Sequence, residues 1–311
     1  MKLVLIWLVV VLIGFGAMLD SYYVLQGPQS AEARRIAAEL KASAKAEGVA
    51  PLHGKFSAKD LSRVYGPSTR VPFGAFELYL FGQALVLTGG SALFILLYAG
   101  LARRLTTGVL GEPMREVANR KWLLIGLHVA FFGVMIMSAH IAYAAPNVQK
   151  HLLAQVSGQI LGGSGPLGFA FKAYLSRSIL LAAAATLAVN FFVGTLLSIT
   201  LPSIIVPGVG AALVLYRFVI WGFLLAPSYA ALSGTMLPHT FTALVEGEAS
   251  ILCAFFAVLI PIYLFRPSKG ASAIKRYGRA FLVNAKGQIW VFAILAVAAI
   301  YEAIEVIAQM R

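Results

Sequence analysis

Charge is scarce in this sequence. Asp, Glu, Lys and Arg make up 12% of its 311 residues, where an ordinary soluble domain carries about 25%. That leaves too little polar surface to coat a water-soluble globule of this size. Acid is scarcer still, with 12 acidic residues against 25 basic ones and a net charge of +13. There is one cysteine, Cys253, so an internal disulfide and a multi-cysteine metal site are both excluded. It lies in an apolar run and reads as a small core hydrophobe. The P-loop, the G-x-G-x-x-G fingerprint, the G-x-S-x-G elbow and H-E-x-x-H are all missing. No cofactor and no metal are expected.

What the chain has in abundance is apolar sequence: 60% hydrophobic residues and a mean hydropathy of +0.84. Runs of about 18 or more apolar residues are membrane-spanning candidates. They predict spans at 3–19, 73–101, 122–145, 178–201, 211–232, 238–265 and 289–309. The expected fold is therefore all-α, a polytopic transmembrane helix bundle of about seven spans. Residues 1–26 form the first anchor and 72–311 the bundle. The first run could also be a signal peptide, but an A-x-A cleavage pattern is absent and Gly14-Phe15-Gly16 is a weak substitute.

Residues 27–71 are polar and predict a small helical extramembrane lobe, with one helix capped by Ser30 and a second opened by Ser57-Ala58-Lys59-Asp60. Segment 147–177 has a glycine-rich middle and reads as interfacial or re-entrant, too broken to span. Orientation follows from the lysines and arginines. Arg103, Arg104, Arg115, Arg120 and Lys121 follow the second span; Arg266, Lys269, Lys275, Arg276, Arg279 and Lys286 follow the sixth. Both links belong in the cytoplasm under the positive-inside rule. Seven spans then place the N-terminus inside and the 27–71 lobe outside, although the lobe is itself basic. The excess positive charge is read as contact with membrane lipids, with no nucleic-acid partner.

Ionisable groups inside apolar spans are costly, so each is a candidate site. In the sixth span Pro238 fits a first helical turn. His239, Thr242 and Glu246 fall on one stripe, because seven residues are close to two turns, while Glu248 points roughly opposite. Lipid accepts neither carboxylate, so this helix should be central. Glu302 and Glu305 lie three apart on the last span, on adjacent faces. Together with His140 and Glu77 they predict a polar layer near the outer leaflet. Arg217 and Asn190 sit deeper, and Arg217 is a candidate partner for Glu248. These groups serve either interhelical packing or a site for an ion, proton or lipid headgroup. Gly89, Gly90, Gly194 and Gly222 read as points of close helix approach.

Two stretches carry a family resemblance: Val189-Asn190-Phe191-Phe192-Val193-Gly194, and Leu237-Pro238-His239 followed by Glu246 and Glu248. With 223–227 between them, they resemble the SpoIIM-like membrane proteins, named for the stage II sporulation protein M. Thr240 departs from that pattern, where a glycine is usual after Pro-His. The similarity covers about 171–260, marking a SpoIIM-like core at about 171–265. It implies a scaffold for cell-wall remodelling proteins. The leading expectation is thus a non-enzymatic protein of the bacterial inner membrane, a scaffold or accessory subunit of an envelope complex, with a protein partner or a second copy of itself. A permease for an ion, small solute or lipid, using the intramembrane carboxylates, stands second. An enzyme using His239 as base stands third.

Overall fold

In the computed structural model of the protein, residues 2–24, 66, 69–105, 107–161, 165–265 and 272–309 are described. The two helices expected in the 27–71 lobe lie outside the described residues, as do Arg266 and Lys269. Among the described residues the elements are helices: α1 (Lys2–Val24), α2 (Phe73–Arg104), α3 (Gly108–Asn119), α4 (Lys121–Ala144), α5 (Pro146–Leu161) and α6 (Gly165–Leu175). Then come α7 (Ile179–Ile205), α8 (Val209–Leu224), α9 (Ala230–Phe265) and α10 (Ala273–Gln309).

Six of these, α1, α2, α4, α7, α9 and α10, are long and apolar enough to cross a membrane. The protein is an all-α, multi-pass membrane bundle. The remaining expected span, α8, is apolar but only 16 residues long, short of the roughly 20 that a bilayer core requires. Its expected reach to residue 232 is cut at Leu224, because Pro227 and the turn around it cannot continue a helix. The next helix starts earlier than expected, at Ala230, so Pro238 lies inside α9 rather than in its first turn.

Contacts at the helix ends fix the two faces of the bundle. One face gathers Arg104, Lys121, Tyr263, Arg276 and Lys286, with α3 lying across it; this is the basic face. Tyr263 donates to Glu116 at 2.6 Å, Lys286 to Glu112 at 2.5 Å and Trp290 to the Leu110 carbonyl at 3.1 Å. At the far face Gln149 of α5 donates to the Ala226 carbonyl at 2.9 Å, and α6 packs Tyr174 against Ala182, Ala183, Ala303 and Ile307. Helices α5 and α6 are the semi-polar 147–177 segment, and neither is long enough to span.

Helix α9 is the axis of the bundle. Two thirds of its most apolar stretch is buried (67%), against 11–39% for the other five long helices. Leu252, Phe255, Phe256 and Leu259 of α9 meet Phe131 and Phe132 of α4 and Phe218 of α8 in one core. The expectation that this helix is central to the bundle is met.

Helix α1 is held by backbone proximity instead. A Cβ on Gly14 would lie 2.6 Å from the Gly82 carbonyl oxygen, and one on Gly82 2.6 Å from that of Gly14. Small residues allow this approach, and Ser21 locks it by donating to the Ala75 carbonyl at 2.6 Å. Gly82→Leu should force α1 off α2 and cost about 1–3 kcal/mol, read as a lower melting temperature in detergent. Gly16, which has open space around it, should tolerate the same change. Equal melting curves for the two variants would contradict this packing.

Candidate functional site

Helix α9 delivers polar groups to two sides, and the two sites differ in kind. Glu248 points towards α4 and α2. His128 Nε2 lies 2.9 Å from both Glu248 oxygens, and the Tyr98 hydroxyl donates to Oε2 at 3.5 Å. His128 Nδ1 is 2.8 Å from the Leu124 carbonyl. A carbonyl only accepts, so Nδ1 carries a hydrogen. Nε2 is then the nitrogen that faces the carboxylate. It is sealed, with Glu248 fully buried and His128 5% exposed. Beside it, between α1, α2 and α4, runs an apolar cleft of about 590 Å³ lined by Trp7, Leu87, Ser91, Ile95, His128 and Val129 among others. The cleft touches the imidazole and stops there, since both ring nitrogens are already engaged.

The second site occupies the opposite side of α9, against α10 and α7. His239 Nδ1 is 3.4 Å from Glu305 Oε1, and Thr242 donates to Glu305 Oε2 at 3.0 Å. Asn190 donates to Glu246 Oε1 at 2.5 Å. Glu246 and Glu302 stand within hydrogen-bonding reach of each other. Tyr174 reaches Glu302 and shares a hydrogen bond of 2.8 Å with Thr186. Burial, then the Glu302 charge, pushes the Tyr174 phenol well above its ordinary range, so it stays a donor to that carboxylate. Arg217 donates to the Gly194 carbonyl and, at 3.5 Å, to Ser250, within electrostatic reach of Glu246.

Local backbone explains how Asn190 and the Gly194 carbonyl come to face α9. Residues Val189–Thr200 of α7 form a π-helix. Two hydroxyls follow the wider turn: Thr195 bonds the Asn190 carbonyl at 2.9 Å and Ser198 the Val193 carbonyl at 2.5 Å, each five residues back. Such segments recur at functional sites. Gly194 has no side chain where the guanidinium lies, 3.3 Å from the position a Cβ would take.

The cluster thus sets three carboxyl groups, Glu246, Glu302 and Glu305, against two basic side chains, His239 and Arg217. Unlike the Glu248 site this cluster is open: Glu246, Glu302, Asn190 and Arg217 are only half-buried, and the His239 side chain is 25% exposed.

The structure thus brings His239, Thr242, Glu246, Glu302, Glu305, Asn190 and Arg217 together. It separates three expected neighbours. Glu248 pairs with His128 and not with Arg217, because the guanidinium projects to the other side of α9. His140 and Glu77 form their own pair at 3.1 Å, both well exposed, so the outer polar layer is two groups and not one. His128, Tyr98 and Tyr174 were not anticipated. His128 carried a legible signal, an ionisable group in the middle of the third apolar run; Tyr98 and Tyr174 carried none. No family model, curated protein or solved structure matches the chain.

Breaking a buried pair strands its partner, at a cost of about 3–5 kcal/mol. Thermal denaturation in detergent should therefore show His128→Leu and Glu248→Leu each strongly destabilised. The double variant should be less destabilised than their sum, because neither charge is left alone. Additive losses would contradict the pairing.

Proposed function

We propose that the protein is a proton-coupled permease for small cationic solutes, with the Glu246/Glu302/Glu305 cluster as the site where proton and solute compete. The observation that carries this reading is the contrast between the two carboxylate sites on α9. The Glu248 site is sealed and satisfied, as a packing device should be. The Glu246 site is half-open, gathers three carboxyl groups against two basic ones and takes Asn190 from a π-helical segment; in this proposal Glu246 and Glu302 share one proton. Charge balance sets the stoichiometry. Replacing the shared proton by one monovalent cation leaves three carboxylates facing Arg217, protonated His239 and the bound cation, which is again neutral. One proton exchanged for one cation therefore costs the site no net charge.

In this reading the chain lies in a bacterial cytoplasmic membrane with its basic face inside, as the positive-inside rule asks. The SpoIIM-like resemblance is kept as part of the proposal. The scaffold reading draws its support from that resemblance and from the 27–71 lobe; the permease reading draws its support from the bundle.

The test uses acid-loaded proteoliposomes holding a pH-sensitive dye. Sodium, potassium and small primary amines are added outside in turn. At least one should alkalinise the lumen, and Glu246→Gln and Glu302→Gln should each slow that response by about tenfold or more. If no cation in the panel moves the lumenal pH beyond protein-free vesicles, the permease reading fails.

A further inference from the structure

The polar stripe on α9 does not end at Glu246. Ser250 and Cys253 follow at +4 and +7, so His239, Thr242, Glu246, Ser250 and Cys253 run down one side of the helix in steps of three or four. Facing the lower end are Thr200 of α7, whose hydroxyl is 3.6 Å from the Cys253 sulfur, and Gln288 of α10, whose Nε2 is 3.9 Å from it. Gln288 Nε2 also donates to Asn284 Oδ1 at 3.1 Å. All four residues are more than nine-tenths buried.

This group is not satisfied. Asn284 Nδ2 and Gln288 Oε1 are buried without a hydrogen-bond partner. Exchanging oxygen and nitrogen in both amides reverses the bond between them and still leaves one polar atom of each unpaired. Two orphaned amide atoms on neighbouring side chains, one a donor and one an acceptor, ask for a molecule that both donates and accepts. Their depth says which one is at hand. Lys286, between them in sequence and on the opposite face of α10, pairs with Glu112 at the basic face, so the amides lie at the level of that face.

We infer that the seam between α7, α9 and α10 holds water from Asn284 past Cys253 to Ser250, giving the carboxylate cluster aqueous access from the basic face. Water satisfies both orphaned amides. The stripe on α9 offers hydroxyl, thiol and carboxyl groups at successive turns for it to bridge. Arg217, anchored to the Gly194 carbonyl and Ser250, stands where this seam meets Glu246. The proposed permease function supplies the purpose of the route; the route itself is argued from the orphaned amides and the stripe.

The lone cysteine makes the test specific. The full chain in proteoliposomes is exposed to silver ion, which is compact and permanently charged and so arrives through water and not through lipid. After excess silver is removed, the protein is unfolded in sodium dodecyl sulfate and its free thiol is labelled with a fluorescent maleimide, with Cys253→Ser as blank. Silver should protect Cys253 in the folded chain. An Asn284→Leu/Gln288→Leu variant, whose seam is dry, should be protected about tenfold more slowly or worse. Full maleimide labelling of the wild type after silver treatment overturns the route. Protection in a protein that moves no cation keeps the route and removes the permease; cation flux with an unprotected thiol removes the route alone.

Discussion

A carboxylate within a bilayer must be paired, neutralised or wetted, and α9 carries two of them, two residues apart and on opposite sides. That constraint sets the place of every other helix. Neither side of α9 can be given to lipid, so α2 and α4 cover the Glu248 side while α7 and α10 cover the Glu246 side. Helices α1 and α8 have little polar to hide. Helix α1 docks through glycine contacts, and α8 contributes one charged group, Arg217, aimed inward.

The two sides answer the same constraint in different ways. Around Glu248 each polar atom is matched: an imidazole with both nitrogens used and a phenol completing the carboxylate. Such a site adds rigidity. Around Glu246 the match is made by sharing. Three carboxyl groups face one histidine and one arginine there, and the cluster keeps part of its surface open. Satisfaction is complete on one side and conditional on the other.

Much of this was legible in the sequence. Hydropathy gives the long helices, and the residue spacing on α9 gives both the opposed carboxylates and the central position. The His239, Thr242, Glu246 stripe and its meeting with Glu302 and Glu305 follow from helical periodicity and the alternation of spans. What periodicity does not supply is the partner across an interface. Arg217 looked suited to Glu248 by charge, yet rotation about α8 sends it to the Glu246 side, and a histidine of α4 takes the place expected for it. The π-helical turn in α7 was equally invisible, because it depends on how Asn190 and Gly194 are drawn towards α9. The extent of α8 was overread, since apolar residues continue past Leu224 although Pro227 ends the helix.

The central claim is that Glu246 and Glu302 hold one proton between them inside the bundle. Infrared difference spectroscopy of the membrane-embedded protein at neutral pH reads it directly. The account predicts a protonated carboxyl C=O stretch in the wild type that is lost or displaced in Glu302→Gln and in Glu246→Gln, and left in place in Glu77→Gln. A wild-type spectrum without a protonated carboxyl band, or a band indifferent to both substitutions, would contradict it.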